Sequence, residues 1–130
     1  MKFALAIYGS PCSSQAPQTA LNFAQAVLDQ GHEISRVFFY QAGVNTATRL
    51  SVPPQDEQNI SADWRKLIKA HQLDAVVCIA AALRRGITNQ EEAQRYQLNG
   101  SNLDELYQLS GLGQLIDAAF EADRLITFGS

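Results

Sequence analysis

The chain has 130 residues and a formal net charge of −3, with 46% hydrophobic and 18% charged residues. This length predicts one domain spanning residues 1–130, and the composition excludes a disordered chain. The slightly acidic balance argues against direct nucleic-acid binding, which depends on Lys and Arg neutralising phosphates. No apolar run approaches the roughly 18 residues of a membrane span, so no membrane partner is expected. Two cysteines are too few for a disulfide scaffold and predict a cytoplasmic setting.

Apolar runs and helical periodicities alternate in the first half of the chain. Lys2–Tyr8 is an apolar run closed by turn-forming residues, which predicts a buried strand. Apolar residues then recur at helical spacing from Thr19, and Gly31 predicts the end of that helix. Glu33–Tyr40 is the second predicted strand, with two of its last three aromatic residues packed inside. Residues 41–60 contain Gly, Asn, Ser and Pro and predict a long loop with at most one helical turn.

The next predicted elements are a helix and a strand. Trp64 stands at helical spacing with the apolar residues up to Ala70, which predicts a helix whose buried face includes the tryptophan. Either Ser61 or Asp63 is the expected cap of this helix. Leu73–Ala80 is a continuous apolar run and predicts the third strand.

The last third of the chain contains two predicted helices, a final predicted strand and one ambiguous segment. Thr88 and Glu91 have the spacing of a capping box and predict a short helix. The segment 100–113 fits either a short strand or a helical turn. Gln114–Ala122 is helical in pattern, and Asp123–Phe128 predicts a final strand.

Strands that are apolar throughout and alternate with helices predict an α/β fold. The expected architecture is a small doubly wound sheet, mainly parallel, with helices on both faces. Sites in such folds gather beyond the carboxyl ends of the strands. Cys78 and Cys12 both fall on that edge in the predicted order, Cys78 at the end of the third strand and Cys12 in the loop after the first.

Cys78 is the leading candidate for a reactive group. A thiol attacks in its thiolate form, which a helix N-terminus or nearby positive charge stabilises. A helix from Ala80 would supply such an end, and Arg84 and Arg85 would assist it. The alternative is a packed core cysteine, since free cysteine is among the most buried residue types.

The other candidate groups favour ordinary structural roles. Cys12 lies in a Gly/Ser/Pro loop and is either an incidental exposed thiol or an accessory thiol that resolves or relays. His32 and His71 follow predicted helices and are expected to complement their C-termini. No spacing matches a zinc site or a nucleotide-binding glycine loop, so no metal and no cofactor are expected.

The chain resembles the DsrE/TusD family of sulfur-relay proteins, with TusD-type members the most similar. Three segments carry the resemblance: Gly31–Val44, Val76–Gly86 and Leu109–Gly129. The resemblance implies a flavodoxin-like α/β domain and a sulfurtransferase whose Cys78 carries sulfur as a persulfide. The family's first loop does not depend on a cysteine, so the resemblance gives no role to Cys12.

The resemblance also implies partners and a pathway. TusD-type proteins work with TusB- and TusC-like subunits in a heterohexamer. They take sulfur from a TusA-like donor and pass it to a TusE-like acceptor for 2-thiouridine at the tRNA wobble position. DsrE-type relatives work instead in a DsrEFH complex in dissimilatory sulfur oxidation. The sequence leaves this choice open, and a non-catalytic assembly subunit and a flavodoxin-like cofactor binder stand as rival functions.

Overall fold

A computed structural model describes residues 1–129 as a five-stranded sheet with helices. The strands are β1 Lys2–Ile7, β2 Glu33–Phe39, β3 Ala75–Cys78, β4 Gln108–Ser110 and β5 Arg124–Phe128. The helices are α1 Ala16–Asp29, α2 Ile60–His71, α3 Ile79–Arg84, α4 Gln90–Arg95 and α5 Gly113–Glu121, with a 3-10 helix at Gln41–Ala47. None of the helices in this described range is long and apolar enough to cross a bilayer.

The strand order is β4-β3-β2-β1-β5, and all four neighbouring pairs are parallel. Parallel neighbours need crossover connections, and the helical segments between the strands supply them. This arrangement confirms the predicted α/β fold with a parallel sheet. It places the first strand between the second and the last, and it brings the carboxyl ends of all five strands to one edge.

Helices cover both faces of the sheet. The ring of Phe3 meets Phe23 of α1 edge to face, with centroids 5.6 Å apart. The next residue of β1, Ala4, faces the other side and is in register with Arg36. The guanidinium of Arg36 donates to the carbonyl oxygen of Gln114 in α5 at 2.9 Å. Thus α1 lies on one face and α5 on the opposite face, which confirms the doubly wound arrangement.

The centre of the core is aromatic. Trp64 is fully buried, and its indole N–H donates to the carbonyl oxygen of Pro17 at 3.0 Å. Its ring packs edge to face on Phe39, with centroids 5.6 Å apart. Phe38 and Phe39 are buried while Tyr40 is half-buried. The prediction that two of these three aromatic residues pack inside is confirmed, as is the core position of the tryptophan.

The cap predicted for α2 is wrong. Asn59 caps this helix, because its side-chain oxygen accepts from the backbone N–H of Ala62 at 3.0 Å. Neither Ser61 nor Asp63 lies at the capping position, since α2 already includes them. Asparagine is as good a cap as either residue, so composition alone could not separate the three.

The capping box predicted for α4 is shifted by one residue. Asn89 caps this helix by accepting from the backbone N–H of Glu92 at 2.9 Å. Thr88 is buried instead, and its hydroxyl donates to the carbonyl oxygen of Gly100 at 3.4 Å. Thr88 precedes the cap residue Asn89 by one position, so the Thr88–Glu91 pair is not used.

Other element bounds differ modestly from the predictions. The α1 helix begins at Ala16, before Thr19, because Pro17 fits the first turn of a helix. The long loop contains a 3-10 helix of seven residues, and the ambiguous segment before α5 contains the short strand β4. The two histidines lie at helix ends as predicted. His71 is the last residue of α2, and the backbone N–H of His32 donates to the last turn of α1.

Candidate functional site

Cys78 lies at the junction of a strand and a helix. It is the last residue of β3, in register with Ser110 at the end of β4, and it is also the N-cap residue of α3. Its backbone is extended, and the helix starts at the very next residue, one earlier than predicted. Cys78 therefore occupies the carboxyl edge of the sheet, where ligand sites of parallel α/β folds lie.

The thiol of Cys78 is buried in the isolated chain. Only 2% of the residue is exposed, and it belongs to the hydrophobic core together with Ala81 and Ala82 of the following helix. Its side chain makes no capping hydrogen bond to the free N–H groups of α3. The expected contact between the sulfur and the helix N-terminus is therefore not formed in this conformation. Ala80, two residues further along, is exposed.

The 3-10 helix fixes the surroundings of this junction. It packs against both β3 and α3, the two elements that meet at Cys78. The backbone N–H of Gly43 donates to the carbonyl oxygens of Tyr8 at 3.0 Å and Tyr40 at 2.9 Å. A Cβ atom at this glycine would lie 2.9 Å from the carbonyl carbon of Ile7 and even closer to its oxygen. Glycine thus lets the 3-10 helix sit directly on the ends of β1 and β2.

A side-chain clamp closes the segment that follows α3. The side-chain oxygen of Asn102 accepts from the backbone N–H of Thr88 at 2.9 Å. Its side-chain amide donates to the carbonyl oxygen of Gly86 at 3.1 Å, and its backbone N–H donates to the carbonyl of Thr88 at 3.0 Å. These three bonds tie residues 86–88, directly after α3, to Asn102.

The two arginines lie at the far end of α3 from the thiol. Arg84 is the last residue of the helix and is exposed. Six helical residues rise about 9 Å along the axis, so its backbone is far from Cys78. The guanidinium of Arg85 donates to the carbonyl oxygen of Ala81 at 3.1 Å, over the C-terminal turn of its own helix. This placement favours a role of the arginines on the surface over direct contact with the sulfur.

Cys12 is an exposed free thiol in the loop between β1 and α1. It borders a small cavity of about 30 Å³ formed with the loop that precedes α2. The residues that line this cavity are Pro11, Cys12, Ser51, Pro53, Gln58, Asn59, Ile60 and Ser61. Cys78 is not among them, so the two thiols do not share this cavity, and an accessory role for Cys12 stays a prediction.

Two buried hydroxyls are features that the sequence analysis missed. The hydroxyls of Thr46, in the 3-10 helix, and Tyr107, just before β4, find no hydrogen-bond partner within residues 1–129. Burial raises the pKa of the Tyr107 phenol far above its ordinary value; the carboxylate of Asp104 adds to the rise, and Arg65 opposes it. Neither residue stands in a motif, so no sequence signal could have singled it out.

Metal ligands are not clustered in this structure. Within residues 1–129, no group of three or more His, Cys, Asp or Glu side chains is arranged to hold a metal ion.

Comparison with known proteins gives the family. The model of the DsrE/DsrF-like family matches residues 1–128. The chain belongs to the DsrE/DsrF-like family. A DsrE protein of Allochromatium vinosum is 51% identical over 129 residues, which are 99% of this chain and 99% of the relative. The resemblance noted from the three sequence segments is thereby confirmed.

Two further relatives bear on the activity of this DsrE/DsrF-like chain. A sulfurtransferase TusD homolog of Pseudomonas aeruginosa is 55% identical over 129 residues, which are 99% of this chain and 98% of the relative. The sulfurtransferase TusD of Enterobacter sp. is 44% identical over 128 residues, 98% of this chain and 100% of the relative. By these relatives the chain is a sulfurtransferase, which confirms the predicted enzyme class.

A solved structure of the ychN protein from E. coli supports the DsrE/DsrF-like fold. It aligns with a TM-score of 0.78 and covers 98% of this chain and 99% of its own. The sequences are only 20% identical, so this likeness concerns the fold alone.

Proposed function

We propose that this chain is the sulfur-carrying subunit of a relay, with Cys78 holding the transferred sulfur as a persulfide. The observation that carries the proposal is the position of Cys78 at the carboxyl end of β3, directly before α3. Full-length similarity to TusD sulfurtransferases supports it. Both cysteines are free thiols, which fits the cytoplasmic setting that we propose for the relay.

The proposed chemistry is an exchange between sulfur atoms. The Cys78 thiolate attacks the terminal sulfur of a donor persulfide, a new S–S bond forms, and the donor leaves as a thiolate. The thiolate of an acceptor then attacks the terminal sulfur on Cys78 and takes it, returning the Cys78 thiolate. No electrons are gained or lost overall, and the rate depends on the attacking and leaving thiols.

Burial of Cys78 requires an opening step before this chemistry. The residue is only 2% exposed, so the structure that covers the thiol must open before a sulfur donor reaches it. The six-residue α3 is the element best suited to move, because helices this short have little stability of their own. When the first turn of α3 loosens, its free N–H groups become available to a sulfur anion.

The partners that we propose follow the TusD relatives. The donor is a TusA-like protein, the acceptor is a TusE-like protein, and TusB- and TusC-like subunits complete a heterohexamer. The product of this pathway is 2-thiouridine at the tRNA wobble position. The exposed Arg84, at the end of α3, supports a docking role toward an acidic surface of a donor or acceptor, and Arg85 flanks it.

Persulfide loading tests the assignment of Cys78. The purified chain is mixed with an inorganic polysulfide, and the intact mass is followed by peptide mapping. We expect a gain of one sulfur atom on the Cys78 peptide, lost in Cys78→Ser and kept in Cys12→Ser. The Cys12 variant is a matched control because it removes the exposed thiol. If Cys78→Ser gained as much sulfur as the wild type, the carrier role of Cys78 would be refuted.

A DsrE-type role in sulfur oxidation is a second candidate. The observation in its favour is the 51% identity to the DsrE protein, close to the 55% identity to the TusD homolog. The DsrE role would place the same Cys78 chemistry in a DsrEFH complex. Measuring 2-thiouridine in tRNA from a deletion strain distinguishes the two, since its loss is expected only for the TusD-type role.

A non-catalytic assembly subunit is the rival that burial of Cys78 favours. In that case the thiol is a packing group, and no sulfur is accepted from polysulfide or from a donor protein. The loading experiment decides between these functions as well, because a packing role predicts no mass gain on the Cys78 peptide.

A further inference from the structure

A cavity of about 510 Å³ lies between α2 and the segment that leads into β4. Its lining comes from three parts of the chain, which are Arg49 after the 3-10 helix, Arg65 and Lys69 of α2, and residues 103–106. Sites for small molecules have volumes of about 300–1,000 Å³, so this cavity has the size of such a site. Cys78 does not line it, and the cavity is therefore separate from the candidate sulfur site.

The cavity has an excess of positive charge, although the whole chain has a net charge of −3. Arg65 and Lys69 are four residues apart and therefore lie on one stripe of α2. Neither Arg49 nor Lys69 forms an ion pair within residues 1–129. Of the two carboxylates in the lining, Asp104 pairs with Arg65 and Glu105 is exposed. Two cationic side chains are thus left without a carboxylate partner.

Both arginines are held by one part of their guanidinium groups. Nε of Arg65 lies 3.1 Å from Oδ2 of Asp104, whose Oδ1 accepts from the backbone N–H of Leu106 at 3.0 Å. Arg49 donates through Nη2 to the carbonyl oxygen of Ser101. A guanidinium has several N–H donors, so each arginine keeps donors for a further acceptor. These donors are already oriented by the protein, which favours binding of an anion.

Part of the cavity lining is apolar and adjoins the core. Leu103 and Leu106 are half-buried and pack against the hydrophobic core. The next residue, Tyr107, is 6% exposed, and the charges of Asp104 and Arg65 act in opposite directions on the pKa of its phenol. The ion pair therefore lies beside buried structure, where attraction between charges is stronger than in bulk water.

We propose that this cavity binds the phosphate monoester group of a small organic molecule whose body is apolar. The phosphate contacts Arg49, Arg65 and Lys69, and the apolar body contacts Leu103 and Leu106. A phosphate monoester carries close to two negative charges at neutral pH, which complements the two cations that lack a carboxylate partner. A carboxylate group carries only one charge and would leave one of these cations without a partner.

Calorimetric titration of the full chain with phenyl phosphate at constant ionic strength tests the site. We expect saturable binding with a Kd of about 0.1–1 mM. Inorganic phosphate lacks the apolar body and should bind about tenfold more weakly, and phenol lacks the charge and should not bind measurably. The backbone N–H signals of Leu103, Glu105 and Leu106 should shift in a proton–nitrogen NMR spectrum, because the ligand lies against this segment.

Charge variants test whether the cationic side chains bind the phosphate. Arg49→Gln with Lys69→Gln should weaken binding of phenyl phosphate at least about tenfold. The matched control is Lys2→Gln with Lys66→Gln, which removes two exposed charges outside the cavity and should bind like wild type. Glu105→Gln should instead strengthen binding about twofold to fivefold, because it removes a carboxylate that repels the phosphate. Urea denaturation should show all three variants folded.

Several results would overturn the proposal. Absence of saturable binding of phenyl phosphate, wild-type affinity in the Arg49 and Lys69 variant, or an equal loss in the control variant would each exclude the site. Binding of phenol as tight as that of phenyl phosphate would exclude recognition of the phosphate, and equally tight binding of inorganic phosphate would exclude the apolar body. Persulfide loading of Cys78 involves no residue that lines this cavity, so its failure would not affect this proposal.

Discussion

Replacing Ala80 by Gly should speed chemical modification of Cys78 and leave Cys12 unchanged. Cys78 is 2% exposed, so a reagent reaches it only after local opening, while Cys12 is exposed at all times. Ala80 is an exposed residue of α3, so truncating its methyl group disturbs little packing. Glycine nevertheless destabilises the helix, because it loses more conformational freedom on folding.

The expected rise in the Cys78 alkylation rate follows from the free energy by which glycine destabilises a helix relative to alanine. A loss of about 0.5–1 kcal/mol in the stability of α3 raises the population of its open form about twofold to fivefold. The Cys78 alkylation rate should rise by the same factor. Ala119→Gly is the matched control, since Ala119 is an exposed residue inside α5 and its replacement weakens a helix remote in sequence from Cys78.

The assay is alkylation with iodoacetamide at fixed neutral pH, followed by peptide mapping. Cys12 provides an internal reference in every sample, because the alkylation rate of an exposed thiol depends on reagent concentration and pH and needs no opening of the chain. An unchanged Cys78 rate in Ala80→Gly would refute opening of α3 as the route to the thiol. An equal acceleration in Ala119→Gly would point to global unfolding instead.

Three further predictions concern stability, measured by urea denaturation. Tyr107→Phe should leave the free energy of unfolding at pH 7 unchanged or higher, since the hydroxyl has no partner within residues 1–129. Burial raises the pKa of Tyr107, so the folded chain keeps this proton above pH 10, where the unfolded chain loses it. The free energy of unfolding of the wild type should therefore fall above pH 10, by at most about 1.4 kcal/mol per pH unit, and Tyr107→Phe should lack this fall. Identical pH profiles of the two proteins would contradict the effect of burial. Gly43→Ala should lose about 1–3 kcal/mol through collision with the Ile7 carbonyl, and wild-type stability would disprove that close approach. Trp64→Phe should lose about 2–3 kcal/mol, because the Pro17 carbonyl loses its donor and volume is lost; a loss below about 0.5 kcal/mol would exclude both effects.

The fold was predictable because its strands carry a strong signal. The C-terminal halves of β1 and β2 and the whole of β3 are apolar and buried on both faces, and a covered parallel sheet buries such strands. β4 could not be assigned, since three residues give no periodicity and the strand depends on its neighbour β3. The cap predictions failed because several residues that favour the N-cap position stand close together at the start of both helices, and the sequence does not separate them.

For the candidate site at Cys78, the sequence predicted the position of the thiol but neither its burial nor the contacts of the nearby arginines. The end of an apolar run placed Cys78 at the carboxyl edge of the sheet, and the structure agrees. Its burial could not be read from the run, because a packed core cysteine and an accessible thiol both fit the end of an apolar strand. The hydrogen-bond partner of Arg85 could not be predicted either, because a flexible side chain can reach several acceptors. In the structure its guanidinium donates to the carbonyl oxygen of Ala81.

The pairing of β1 with both β2 and β5 has a consequence for biosynthesis. β5 is made after the other four strands, so until residues 124–128 emerge β1 is an outer strand that pairs with β2 and has its other edge free. β1 contains the buried run Ala4–Ile7, and an uncovered apolar strand edge is a template for aggregation. Chaperone demand during translation should therefore concentrate on the interval before β5 leaves the ribosome, and truncation upstream of Arg124 should yield insoluble protein.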